Sequence, residues 1–305
     1  MIDVNSQKKY AIALGCFDGL HTAHIAVINE AVKAREDGFC PAVMLFDEHP
    51  KSVLTGKKSE GLLQTAKRNK ILSDMGVEVF TASFSQIKDM SPEEFVRKIL
   101  AEKFNAGVVC CGYNFRFGKN AEGDSEMLKS ICAAFGIRTV ICPKIQVDSE
   151  DVSSTKIRNA VKTGEIERAN RMSGFPYSFC SEVFTGDKRG RLLGAPTINQ
   201  FIPSELCVPA FGVYASRVYF DDKMYIGVTN IGSRPTFDGE SVRSETYIVG
   251  FEGDLYGREV TVELYKFLRE ERKFPDADTL KAQISRDVTA AVEYFSANCG
   301  KNKKN

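Results

Sequence analysis

Two histidines three residues apart, His21 and His24, follow the turn Gly15-Cys-Phe-Asp-Gly-Leu20. There an apolar run, Tyr10–Leu14, gives way to a helical pattern starting at Ile25. A strand-to-helix turn exposes backbone N–H groups and the positive end of a helix dipole, worth roughly half a unit charge. At this spacing the two imidazoles share one face of the first helical turn. With Gly15, Phe17, Asp18 and Gly19 leading into it, the place suits a polyphosphate. Donors positioned there stabilise charge as it builds between an α- and a β-phosphate, the chemistry of nucleotidyl transfer without a covalent intermediate. A zinc site is the rival reading, with His49 of Phe46-Asp-Glu-His-Pro50 as a third ligand.

A second anion-binding set is Val152-Ser-Ser-Thr-Lys-Ile-Arg158, where Ser153 and Thr155 open a helix and Arg158 follows one turn on. Ser153 also reads as a simple N-cap. Further along, Gly186-Asp-Lys-Arg-Gly-Arg-Leu-Leu-Gly-Ala-Pro-Thr-Ile-Asn199 joins a basic glycine-rich loop to a Pro-Thr-x-Asn element. From Gly186 onward the loop lets main-chain N–H groups approach a phosphate, with Lys188, Arg189 and Arg191 supplying charge. Thr197 and Asn199 share a face if extended, and their oxygens are hard ligands that suit Mg²⁺ carried with a nucleotide. The bland alternative is a tight Gly/Pro hairpin. There is no Walker A loop, since Lys51 stands where Gly56-Lys-Lys-Ser59 needs its upstream glycine, and no Gly-x-Gly-x-x-Gly follows the first apolar run.

The elements that must position these residues fall into two styles. Up to about residue 172, strand patterns (Ala11–Cys16, Ala42–Phe46, Val77–Thr81, Val108–Cys111, Thr139–Cys142) alternate with helical ones (Ala23–Glu36, Leu62–Met75, Pro92–Phe104, Ser125–Phe135). That alternation predicts an α/β domain with a parallel, doubly wound sheet and ligands at the carboxyl ends of its strands. Beyond Met172–Pro176 the runs become short and alternating: Ser178–Phe184, Gly212–Phe220, Met224–Asn230, Ser244–Phe251 and Glu259–Phe267. They predict an antiparallel barrel or sandwich, with a final helix over Thr279–Phe295 packed on it. The expected domains are therefore 1–172 and 173–305.

Composition bounds the partners. Lys+Arg 41 against Asp+Glu 40 gives a formal charge of +1, which speaks against a broad nucleic-acid-binding field. Nine scattered cysteines without a Cys-x-x-Cys, no signal peptide and no apolar run near the ~20 residues of a membrane span predict a reduced, cytoplasmic protein. Small-molecule partners are expected, with neither nucleic acid nor membrane. A homo-oligomer stays open.

Taken together, Gly15-x-Phe-Asp-Gly-x-His-x-x-His24 and Ser153-Ser-Thr-x-Ile-Arg158 resemble the adenylyltransferase module of the bacterial bifunctional riboflavin kinase/FAD synthetases, a Rossmann-like nucleotidylyltransferase. The resemblance implies that Gly15, Phe17, Asp18, Gly19, His21 and His24 hold ATP, with Ser153, Thr155 and Arg158 completing the phosphate site. It places Phe46-Asp-x-His-Pro50 in the remaining site loops and Asn114 and Phe115 of Asn114-Phe-x-Phe-Gly118 on the flavin side. The second half resembles riboflavin kinase, a six-stranded barrel with a C-terminal helix, through Pro196-Thr-x-Asn199, Gly212-Val-Tyr214, Gly227–Phe237, Glu245, Leu255-Tyr-Gly257 and Phe267–Phe274. It implies that Thr197 and Asn199 hold Mg–ATP near Gly186 and Arg191, that Glu245 is the general base toward the riboflavin 5′-hydroxyl, and that Arg269 lies beside the flavin. The expected activity is riboflavin to FMN in the second half and FMN to FAD in the first, each with ATP and Mg²⁺. Two residues depart from the pattern, Ala23 for a glycine and Ile198 for an alanine. The alternatives are a kinase alone with an adenylyl site impaired by Ala23, a nucleotidyl transfer to a different acceptor, and a flavin- or nucleotide-binding regulator without turnover.

Overall fold

The computed structural model describes residues 8–56, 59–186, 196–236 and 239–298, with the side chains of 234–236, 239 and 240 excepted. Contacts divide the chain into two compact units, Met1–Ser154 and Thr155–Asn305.

The first unit is a five-stranded sheet with the order β3-β2-β1-β4-β5. Its strands are β1 (Tyr10–Leu14), β2 (Cys40–Phe46), β3 (Glu78–Ala82), β4 (Ala106–Gly112) and β5 (Arg138–Cys142). All four pairings are parallel. Every residue of β1 is buried, because helices cover both faces of the sheet and leave no strand face for polar side chains. The strand order reverses between β1 and β4, so the loops leaving their carboxyl ends diverge and open a crevice. The five strands predicted for this unit are all present, with every end moved by two residues or fewer.

The helices are α1 (Thr22–Lys33), α2 (Pro50–Thr55), α3 (Thr65–Asp74), α4 (Phe84–Ile87), α5 (Pro92–Glu94) and α6 (Ser125–Ala134). The helix expected from Leu62 begins three residues later, at Thr65. The one expected over Pro92–Phe104 is a single α-turn that continues as a π-helix, Phe95–Lys103. Its start is a full capping box: the Ser91 hydroxyl accepts from Glu94 N and the Glu94 carboxylate accepts from Ser91 N, each at 3.2 Å. A short hairpin, β6 (Gln146–Val147) and β7 (Glu150–Asp151), precedes residue 152.

From Thr155 the second unit holds two helices, α7 (Ser154–Lys162, whose first residue closes the first unit) and α8 (Ile166–Ser173), followed by the barrel. Asn170 of α8 donates to the carbonyl of Leu264 at 2.8 Å and accepts from Tyr177 N at 2.8 Å, tying α8 to two strands. The antiparallel sheet has the order β8-β13-β10-β11-β12-β9, from β8 (Tyr177–Glu182), β9 (Thr197–Phe201), β10 (Gly212–Phe220), β11 (Lys223–Thr236), β12 (Gly239–Ile248) and β13 (Glu259–Arg269). Among the described residues its two edges meet at a bridge, Phe184 to Asn199; Gln200 reaches across the seam to the carbonyls of Ser181 and Val260 at 2.7 and 2.8 Å, and the Ser181 hydroxyl donates to the Phe201 carbonyl at 2.9 Å.

Alternation decides what the barrel shows outside. Ser244 and Thr246 are buried and turn inward, so Glu245 between them turns outward. Inside, Ser216, Thr229 and Thr246 form a chain of hydroxyls at 2.8 and 2.9 Å, which satisfies polar atoms that burial would otherwise strand. The C-terminal helix α9 (Ala277–Asn298) lays Ala291 and Phe295 on Val213, Ala215 and Val228.

Candidate functional site

The turn after β1 is strained before it becomes a helix. Phe17 and Leu20 have φ of 46° and 43°, a left-handed conformation unusual for large side chains, and both are fully buried. Packing holds the strain: a Cβ on Gly19 would sit 2.9 Å from Cβ of Leu62, and one on Gly15 would press on the Phe17 ring at 3.1 Å. His21 caps α1, its Nδ1 accepting from His24 N at 3.3 Å. That bond leaves Nε2 as the protonated nitrogen of the neutral ring. The His21 and His24 rings stack with centroids 3.6 Å apart and planes 15° apart, and Phe17 meets His24 edge-on at 5.1 Å.

These residues form one wall of a cavity of about 890 Å³ at the carboxyl ends of the strands. Gly15, Phe17, His21, Ala23 and His24 line it together with Ser153 and Ser154, with Asn114 and Phe115, and with the cations Lys88, Arg116 and Lys144. Phe46, Phe84, Phe95 and Phe117 supply an apolar wall, in which Phe115 and Phe117 stack at 5.8 Å. Positively charged and N–H groups beside flat aromatic surface fit a phosphate joined to planar rings. Asp18 and Gly19 stand behind this wall rather than in it. The Asp18 carboxylate accepts from the Ser154 hydroxyl at 2.7 Å and lies 3.8 Å from Nε2 of His49. Thr155 and Arg158 are on the first turns of α7, in the second compact unit. Among the described residues, no group of three His, Cys, Asp or Glu side chains is placed to hold a metal.

On the barrel, strand register builds a second constellation. Asn199 of β9 pairs with Glu245 of β12, which pairs with Asn230 of β11, so the three form a row across adjacent strands. Thr197 lies two residues from Asn199, on the same side of β9. Gly186 passes directly over the Asn199 amide: a Cβ on Gly186 would clash with it at 2.5 Å. At the other end of the row, Asn230 donates to Glu271 at 2.9 Å. A cleft of about 290 Å³ opens beside Pro196, Thr197 and Ile198, toward Glu252, Asp254 and Tyr256. Arg191, Lys188, Arg189 and Phe237 lie outside the described residues.

Arg269 is held by α9. Its Nε and a terminal nitrogen donate to the buried Asp287 carboxylate at 3.0 and 2.8 Å, and Gln283 donates to the same carboxylate at 2.7 Å. Ser154, Asn230 and Glu271 were not singled out from the sequence. A strand pattern at 224–230 shows which face Asn230 takes, but the partners of all three are set by tertiary register.

Two family models match the chain: FAD synthetase over residues 3–156 and riboflavin kinase over residues 173–295. The chain is 34% identical over 295 residues to the bifunctional riboflavin kinase/FMN adenylyltransferase of Listeria monocytogenes, covering 93% of this chain and 92% of the relative. It is 35% identical to that of Bacillus subtilis, covering 95% and 94%, and 31% identical to that of Escherichia coli K12, with the same coverage. A crystal structure from Streptococcus pneumoniae, described as a macrolide-efflux protein, superposes with a TM-score of 0.87 at 30% identity over 95% of both chains. Among the described residues no helix is long and apolar enough to cross a membrane. With both modules matched and relatives aligned along nearly their whole length, the chain belongs to the bifunctional riboflavin kinase/FMN adenylyltransferase family.

Proposed function

We propose that the cavity behind the stacked histidines is the adenylyl-transfer centre and that the row on the barrel's outer face is the kinase centre. The enzyme makes flavin cofactors in two steps, converting riboflavin to FMN and FMN to FAD at the expense of ATP. In the first step Glu245 accepts the proton of the riboflavin 5′-hydroxyl as its oxygen attacks the γ-phosphorus and ADP leaves. A base so placed contributes roughly 100- to 10,000-fold. Thr197 and Asn199 would hold Mg²⁺ carried with the nucleotide through hydroxyl and amide oxygens, hard donors that suit it without a carboxylate cage. When bound, the ion neutralises phosphate charge.

In the second step an FMN phosphate oxygen attacks the α-phosphorus of ATP, the bond to the β-phosphate breaks, and pyrophosphate departs. His21 and His24 donate to the phosphate oxygens as that charge develops, Gly15 allows the backbone close approach, and Ser153 adds a hydroxyl. Phe115 and Asn114 face the flavin. The observation that carries this reading is the stacked, helix-capping histidine pair on the wall of a cavity that also offers cations and aromatic surface. Ala23 fits α1 without breaking its cap, which favours the two-step enzyme over a kinase alone. The buried thiols Cys110, Cys111, Cys132 and Cys142 support a reducing, cytoplasmic setting.

The test is incubation with riboflavin, ATP and Mg²⁺ and chromatographic separation of FMN and FAD. His24→Ala should abolish FAD formation alone, and Asn199→Ala should abolish FMN formation. A pair of variants that leaves both products unchanged overturns the assignment.

A further inference from the structure

We infer that Asp18 is a positioning residue for adenylyl transfer, a clasp that fixes three loops around the phosphate site, and not a ligand of ATP. This rests on the cavity being the adenylyl-transfer centre. A carboxylate pointed at a triphosphate would repel it, by about 1 kcal/mol for each unit charge at 4 Å even in bulk water. Asp18 is instead 9% exposed, lies behind the cavity wall, and spends its charge on the protein.

Each of its oxygens serves a different loop. Oδ1 accepts from the hydroxyl of Ser154 at 2.7 Å, and Oδ2 faces Nε2 of His49 at 3.8 Å. The His49 ring is oriented for this: its Nδ1 caps α2 by accepting from Lys51 N at 3.1 Å, which leaves the proton on Nε2, toward Asp18. Asp18 thus joins the turn after β1, the loop after β2, and the Ser153-Ser154 pair at the entry to α7. Two of these contribute phosphate-facing residues to the cavity, His21 and His24 from the first and Ser153 from the third. Between Phe17 and Leu20, both with positive φ, Asp18 also sits where the backbone is least able to hold its own shape. Groups that must meet a transition state within a fraction of an ångström need such support, because a small misplacement costs rate more than affinity.

The experiment measures FAD formation from supplied FMN and ATP, with FMN formation from riboflavin by the same polypeptide as the internal control. Asp18→Asn and Ser154→Ala should each lower kcat for FAD by about 10- to 100-fold while the KM for ATP changes less than threefold. The double variant should be no worse than Asp18→Asn alone, since both remove one bond. Ser154→Thr, which keeps the hydroxyl, should restore most of the rate, and FMN formation should stay within twofold throughout. If Asp18→Asn raises the KM for ATP with kcat intact, the carboxylate is a ligand and the clasp is wrong. Strict additivity of the two substitutions, or wild-type rates in both, overturns it as well. Wild-type enzyme that makes no FAD would instead sink the assignment of the cavity itself.

Discussion

At the scale of single residues, the chemistry depends on where a few side chains are allowed to point. Glu245 faces outward only because Ser244 and Thr246 on either side are claimed by the barrel interior. Glu245→Gln keeps that shape and removes the base, so kcat for FMN should fall by roughly 100- to 10,000-fold with FAD formation from supplied FMN unchanged. Cys16 offers a different probe. It is exposed and lines the first cavity, whereas burial pushes the Cys110 and Cys111 thiols up to about 12 and leaves roughly one part in ten thousand as thiolate at pH 8. Alkylation followed by peptide mapping should modify Cys16 well before Cys110 or Cys111, and saturating ATP should slow the reaction at Cys16 severalfold. Ala23 lines the same wall, and Ala23→Gly should change the KM for ATP by less than about threefold while loosening the first turn of α1 by up to ~1 kcal/mol. The histidine pair, the Ser153-Ser-Thr155 turn and the Pro-Thr-x-Asn element were all legible in the sequence, since each is local. Ser154 as the partner of Asp18, and Glu271 as the partner of Asn230, were not, because residues 136 and 41 positions apart meet only through the fold.

Elements carry the next level of constraint. The parallel sheet was legible because its buried strands read as continuous apolar runs, and the barrel because its strands alternate. What escaped was geometry that period alone does not encode. The segment after Glu94 keeps an apolar face at Phe95, Val96, Ile99 and Leu100, a spacing that suits an α-helix, yet it winds as a π-helix while packing those residues into the core. β9 went unrecognised as a strand of its own because its five residues, Thr-Ile-Asn-Gln-Phe, bury only Gln200. The anchoring of α9 is likewise a long-range event. Asp287 is buried against Arg269, so removing it leaves a guanidinium without its counter-charge. Asp287→Ala should destabilise the second unit by about 3 kcal/mol in urea unfolding. A replacement there that leaves the unfolding midpoint unchanged would show that the pair adds nothing. In the loop after β4, Gly118 has φ of 75° and a Cβ there would lie 2.9 Å from Pro92, so Gly118→Ala should cost stability through both strain and crowding.

For the molecule as a whole, the chain is two folding problems written in sequence. The change of style near residue 172 sets the expected boundary there, while the compact units divide after Ser154, so that α7 and α8 fall with the barrel. Ile166, Ala169 and Met172 are buried, and Asn170 bonds to β13 and to the start of β8. A fragment starting at residue 155 should therefore unfold at higher urea than one starting at 173. The expected difference is about 3 kcal/mol or more, given ~1.5–3 kcal/mol for each large apolar side chain returned to water. Equal midpoints would place the two helices outside the barrel's cooperative unit.

The barrel is closed by far less than holds its other strands together. β9 is paired with β12 over five residues, but on its opposite side, among the described residues, the bridge from Phe184 to Asn199, the reach of Gln200, the Ser181 hydroxyl on the Phe201 carbonyl and the stacked Phe184 and Phe201 rings complete the circle. Such a join is where the ring should breathe, releasing its amides to deuterium long before those of β10 and β11. Asn199 stands on that join. A nucleotide that grips it would act as a zip fastener, and slowed exchange at residues 184 and 197–201 would report occupancy of the kinase half without any turnover at all.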